Sequence, residues 1–209
     1  MSRVLGVLGG KDTPLETLWG WASSADLVVA ADSGADACLS VGIRPLVIGD
    51  MDSFKGDRTG LELLEDPDQD TTDCDKLLAW VAAQGHRAVT MACVEGDRLD
   101  HVLATLASLA RCPLDVSLVS RRAIGRIVRA GEGVAVEAAA GTRFSVLGVG
   151  PCVATIAGAR WPVESADLTP PLPQSISNRV QDATHVSVES GRALLMVEAA
   201  REAWQFPWG

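Results

Sequence analysis

Up to about residue 120, short apolar runs alternate with stretches whose apolar positions recur at helical spacing. Val4–Leu8, Leu27–Ala31, Leu46–Ile48, Ala88–Val94 and Val116–Val119 read as strands, and Leu15–Ala22, Ala35–Val41, Asp73–Ala83 and Leu99–Ala110 as helices. Thr13 and Pro14 fit an N-cap and an N1 proline, Gly85 stops the third helix, and Pro113 follows the fourth. Strands spaced by helices predict a parallel sheet covered on both faces, which suits wholly apolar runs such as LVVAA and PLVIG. From Arg126 the helical period disappears. Short β-branched stretches follow: Gly133–Glu137, Arg143–Leu147, Val153–Ile156, Ile176–Val180, Thr184–Glu189 and Leu194–Glu198. Gly, Pro and Ser clusters separate them, the pattern of a small antiparallel sandwich or barrel. The fold expected is α/β: a doubly wound, mostly parallel domain over 1–125 and an all-β sandwich over 126–209.

Composition changes that picture little, whereas charge changes it more. The chain has 209 residues, 47% hydrophobic and 22% charged, with 18 Lys+Arg against 27 Asp+Glu for a net of −9. Residues 50–100 alone hold 13 acids and 5 bases. Such a surface disfavours nucleic acid, whose phosphates need Lys and Arg, but not anionic substrates carried with a divalent metal. No apolar run is long enough for a membrane span, and the start lacks a signal-peptide core. Five cysteines without a CxxC pair read as reduced thiols, so a cytoplasmic protein is expected.

The acids fall at informative places. Asp32 follows the strand LVVAA, and Asp50 and Asp52 follow LVIG, at the carboxyl ends where open α/β sheets bind ligands. A lone DxD is ordinarily a solvated loop, but two carboxylates spaced this way can converge on a hard cation such as Mg²⁺. Thr71 or Thr72 can cap the helix that Asp73 begins; capping does not account for Asp68, Asp70, Asp73 and Asp75 together. After the fourth strand come Asp97, Arg98, Asp100 and His101, where Arg98 is either an ion-pair partner or a phosphate clamp. Four acidic sites (Asp32, Asp50/Asp52, Asp73, Asp100) thus share one predicted rim and point to a metal–polyphosphate site. GVLGGKD is only a near miss to a Walker loop, and no GxGxxG opens a helix.

In this order, ADSGAD, GDMDS, DQDTTD, GDRLDH and SISN (175–178) resemble the thiamin pyrophosphokinase family over about residues 30–180. Asp97 stands where that family usually has Gly, and Ser33 and Asp36 where Gly and Asn are common. The resemblance implies a homodimer with thiamin bound between subunits, and transfer of the β,γ-pyrophosphoryl group of ATP to the thiamin hydroxyl with release of AMP. It implies Asp50, Asp52, Asp73 and Asp100 as the catalytic Mg²⁺–ATP carboxylates, and Asp32, Ser53, Arg98 and His101 as ATP contacts. Gln69, Thr72, Ser177 and Asn178 match the thiamin-binding set. A pyrophosphokinase acting on another hydroxymethyl acceptor such as a pterin, a Mg²⁺-dependent nucleotide hydrolase, and a non-catalytic sensor of nucleotide or thiamin are the alternatives. Arg121, Arg122, Arg126 and Arg129 read as a solvated link, and the WQFPWG tail as a packing segment.

Overall fold

Every residue of β1 (Val4–Val7) is buried, as an inner strand covered on both faces requires. The computed structural model describes residues 2–172 and 174–199; the tail with Trp204, Phe206 and Trp208 lies outside them. The chain forms two compact units, Met1–Arg121 and Arg122–Gly209.

In the first unit β1 is followed by α1 (Leu15–Ser24), β2 (Leu27–Ala31), α2 (Gly34–Ser40), β3 (Leu46–Gly49) and β4 (Glu62–Glu65). Then come α3 (Asp73–Ala83), β5 (Ala88–Ala92), α4 (Leu99–Arg111) and β6 (Asp115–Val119). The strands run parallel in the order β6-β5-β1-β2-β3-β4. The order reverses between β1 and β5, which puts a crevice at their carboxyl ends. β4 was not expected: ELLE has no alternation to betray an edge strand. Thr13 is not the cap of α1. Pro14 takes the N-cap position, while the buried Thr13 hydroxyl accepts the Cys93 amide proton at 3.2 Å and ties the β1 loop to β5.

The second unit is all-β and antiparallel, with β7 (Ala123–Arg129), β8 (Gly133–Ala135), β9 (Arg143–Ala159), β10 (Val163–Asp167) and β11 (Ser175–Glu198). It begins earlier than the expected boundary because Arg126 lies inside β7, which pairs with β11 from Arg129↔Arg192 to Ala123↔Glu198. Stretches that read as separate strands join into β9 and β11. Phe144 pairs with both Asn178 and Val197, while Ile156 pairs with Val186, so the two long strands double over. Gly191 permits the bend: its φ is +75°, and a Cβ there would run into the Pro151 carbonyl. The layers close on Phe144, Val146, Ile156, Val186 and Leu195.

Candidate active site

β2 and β3 are neighbours in the sheet, so the residues just past their ends must meet. Asp32 leaves β2 with φ +41°, and Met51, between Asp50 and Asp52, has φ +63°. Both are left-handed, a conformation non-glycine residues adopt only when their surroundings enforce it. Gly49 has φ +147°, and a Cβ on it would sit 3.0 Å from the Asp32 Cβ and 3.0 Å from Asp73 Oδ1. The missing side chain lets Asp32 and Asp73 close around one backbone turn.

Ligand oxygens of Asp32, Asp50 and Asp52 all lie within 4.8 Å of one another. Asp32 is 2% exposed; its Oδ2 accepts protons from the Ser53 amide (3.1 Å) and hydroxyl, and its buried Oδ1 has no partner among the described residues. Gln69 Nε2 donates to Asp50 Oδ2 at 2.9 Å, and the Asp52 amide donates to Asp50 Oδ1 at 3.2 Å. These bonds hold the Asp50 carboxyl below the usual range. The Asp50 charge, with Asp32 behind it, pushes Asp52 up. Arg58 secures the loop, donating to the Met51 carbonyl at 2.7 Å with its guanidinium over the Phe54 ring.

The third side comes from α3. Thr72 is its N-cap: the hydroxyl accepts the Asp75 amide proton at 3.1 Å, and the Asp75 carboxylate accepts from the Thr72 amide at 3.2 Å. Arg111 donates to Asp75 Oδ1 at 3.1 Å and so braces α4 against that cap. Burial raises the Asp73 carboxyl, opposed by Lys76. Lys76 is itself buried, donating to the Asp66 carbonyl at 2.8 Å and to Asp73 Oδ1 at 3.3 Å. Methionine keeps the stem of Lys76 but not its protons. Lys76→Met should therefore cost about 1–3 kcal/mol in urea unfolding of the metal-free protein, read as a lower midpoint at unchanged slope.

At the start of α4, Arg98 grips Asp100 with Nε at 3.2 Å and Nη2 at 2.6 Å, and both are exposed. His101 Nδ1 lies 2.8 Å from Asp97 Oδ2. Asp97 therefore acts as a local anchor. Burial raises its carboxyl, but the Arg98 amide, His101 and the Arg98 charge outweigh that and hold it low. A cleft of about 810 Å³ opens over β1, β2 and β3. Asp32, Asp50, Asp52, Ser53, Gln69, Thr72, Asp73 and His101 line it; Arg98 and Asp100 do not.

In the second unit Asn178 is 1% exposed and fully engaged. Its Oδ1 accepts the Trp161 and Arg179 amide protons, and its Nδ2 donates to the Trp161 carbonyl and Ser175 hydroxyl, all between 2.7 and 3.2 Å. Ser177 (φ +59°) donates its amide to the Ser145 hydroxyl at 3.0 Å. Trp161, Asp167, Gln174, Ile176 and Asn178 border a groove of about 420 Å³.

A family model described as thiamin pyrophosphokinase, catalytic domain, matches residues 16–118, and one described as thiamin pyrophosphokinase, vitamin B1 binding domain, matches residues 134–195. The chain belongs to the thiamin pyrophosphokinase family. Solved thiamin pyrophosphokinases share its fold. That of Bacillus subtilis has 19% identity and a TM-score of 0.77 over 95% of this chain and 99% of the other. That of Candida albicans has 14% identity and 0.79 over 95% and 90%, and that of Geobacillus thermodenitrificans 22% and 0.76 over 96% and 99%. No curated protein matches in sequence. No helix among the described residues is long and apolar enough to cross a membrane.

Within this thiamin pyrophosphokinase-family fold the sequence reading passed over three lysines of the cleft, Lys11, Lys55 and Lys76. Lys76 carried a signal, since it stands one helical turn from Asp73. Lys11 sat in the GGK that fell short of a Walker loop.

Proposed function

We infer that the chain transfers the pyrophosphoryl group of ATP to the hydroxyl of thiamin, giving thiamin diphosphate and AMP, with Mg²⁺ held at Asp32, Asp50 and Asp52. The observation that carries this is the buried Asp32 Oδ1, without a partner among the described residues and within reach of two further carboxylates. Oxygens around one octahedral Mg²⁺ stand about 3–4 Å apart, a spacing compatible with this cluster. An uncompensated buried carboxylate oxygen is costly, and a cation accounts for it. When bound, the metal neutralises triphosphate charge and stabilises the leaving AMP.

The chain's own groups do the positioning. Gln69 orients Asp50, Ser53 orients Asp32, and the capped α3 holds Asp73 where it can accept the proton of the attacking hydroxyl. Asp100 and Arg98, bound to each other, take no part in that cluster. Thiamin is a cation, and the acidic cleft draws it in. In the second unit Asn178 acts through Trp161, whose backbone it clamps beside the groove, rather than by touching thiamin. The exposed Trp161, Leu172 and Ile176 suit the face of a homodimer that brings this groove to a partner's cleft. With reduced thiols and these substrates, the protein works in the cytoplasm.

The test is direct. Purified protein with ATP, Mg²⁺ and thiamin should yield thiamin diphosphate and AMP in equal amounts, and omission of any one component should stop both. AMP formed without thiamin would identify a hydrolase, turnover only with a pterin a sister enzyme, and nucleotide binding without product a sensor.

A further inference from the structure

Seven carboxylates and three lysines border the cleft among the described residues, so each cation counts when a triphosphate must be held there. Lys76 is committed to Asp73 and the Asp66 carbonyl, and Arg98 is committed to Asp100 away from the cleft. Two ammonium groups remain. Lys11 and Lys55 make no side-chain hydrogen bond or ion pair with any described residue, yet their backbones are fixed. On either side of Lys11, the Gly10 amide donates to the Cys93 carbonyl at 2.8 Å and the Asp12 amide to the Glu95 carbonyl at 3.4 Å. The Lys55 and Gly56 amides both donate to the Asp36 carboxylate, at 3.3 and 2.7 Å.

Their placement follows from the sheet. Lys11 lies past β1 at the point where strand order reverses, Asp32 past β2, and Asp50, Asp52 and Lys55 past β3. A phosphate chain laid across these three strand ends runs from the loop that carries Lys11, past Asp32, to the loop that carries Asp50, Asp52 and Lys55. We propose that Lys11 and Lys55 bind the β- and γ-phosphoryl oxygens of the nucleotide left uncovered by the metal, one from each side of the Asp32–Asp50–Asp52 cluster. This rests on the pyrophosphokinase reading of the same cleft. Primary ammonium groups suit the role, since a phosphate chain that shifts as one bond breaks is better followed by a flexible point charge than by a fixed guanidinium fork. Two lysines reaching the same polyanion also discriminate ATP from AMP, which offers neither phosphoryl group.

The experiment is calorimetric binding of Mg·ATP and of AMP to the wild-type full chain and to Lys11→Met and Lys55→Met. Because both side chains are exposed, ligand-free melting temperatures should match the wild type. Each substitution should weaken Mg·ATP about tenfold, as expected for one charge-assisted hydrogen bond, and leave AMP within about twofold. Lys11→Arg and Lys55→Arg should recover part of the loss. Unchanged Mg·ATP affinity in either methionine variant overturns the two-sided arrangement, as does an equal loss for ATP and AMP. If the wild type makes no thiamin diphosphate while both variants still lose Mg·ATP selectively, the lysine assignment stands and only the acceptor is misread.

Discussion

Asp32→Asn should lower turnover about a thousandfold or more while moving the ligand-free unfolding midpoint little. An amide can keep its oxygen on Ser53, whose amide and hydroxyl both donate to Asp32 Oδ2, but its NH₂ then points where the unpartnered Oδ1 now lies. Turned the other way, the NH₂ meets the Ser53 N–H donor. One arrangement repels the cation, and the other offers it a neutral oxygen in place of a carboxylate and loses a loop hydrogen bond worth about 1 kcal/mol. Against that loss, removing one of three crowded carboxylates relieves the smaller part of a repulsion on Asp52 that comes mainly from Asp50. Stability and activity therefore separate. Wild type should melt higher with Mg²⁺ and ATP together than with either alone, and Asp32→Asn should not. Turnover within tenfold of wild type would remove Asp32 from the metal site.

Phe144→Ala should cost about 3–5 kcal/mol, the largest single-residue effect expected on the second unit. Phe144 is 1% exposed and among the largest fully buried side chains described. It also sits where the doubled strands close, with Asn178 on one side and Val197 on the other. Truncation leaves a cavity that two paired neighbours cannot collapse into without breaking their ladders. Urea unfolding reads the loss as a lower midpoint; a change below about 1 kcal/mol would show that the site repacks. The same variant should raise the KM for thiamin more than that for ATP, because the Asn178–Trp161 clamp hangs on the strand beside Phe144.

The parallel βαβ half was legible because period and capping are local: apolar runs sit at β1, β2, β3, β5 and β6, and Thr72 opens α3 as a serviceable N-cap. Asp32, Asp50 and Asp52 were legible as strand-end acids. The doubled β9 and β11 were not, because Gly and Pro that normally end a strand here bend one that stays in its ladder.

The opposite fates of the rim acids mark the boundary between what sequence and tertiary structure decide. The sequence alone determined the fold class, the family and the rim, since hydrophobic period and strand-end position need no knowledge of distant contacts. Tertiary structure decided which acids converge. Left-handed turns at Asp32 and Met51 and the sheet order β1-β2-β3 gather Asp32, Asp50 and Asp52, whereas Asp100 closes on Arg98 two residues away. It also buried Lys76, fixed Asn178 to Trp161 and left Lys11 and Lys55 at the cleft without a side-chain partner among the described residues. A side chain's direction at a loop depends on torsions set by long-range packing, and no pattern along one chain records them.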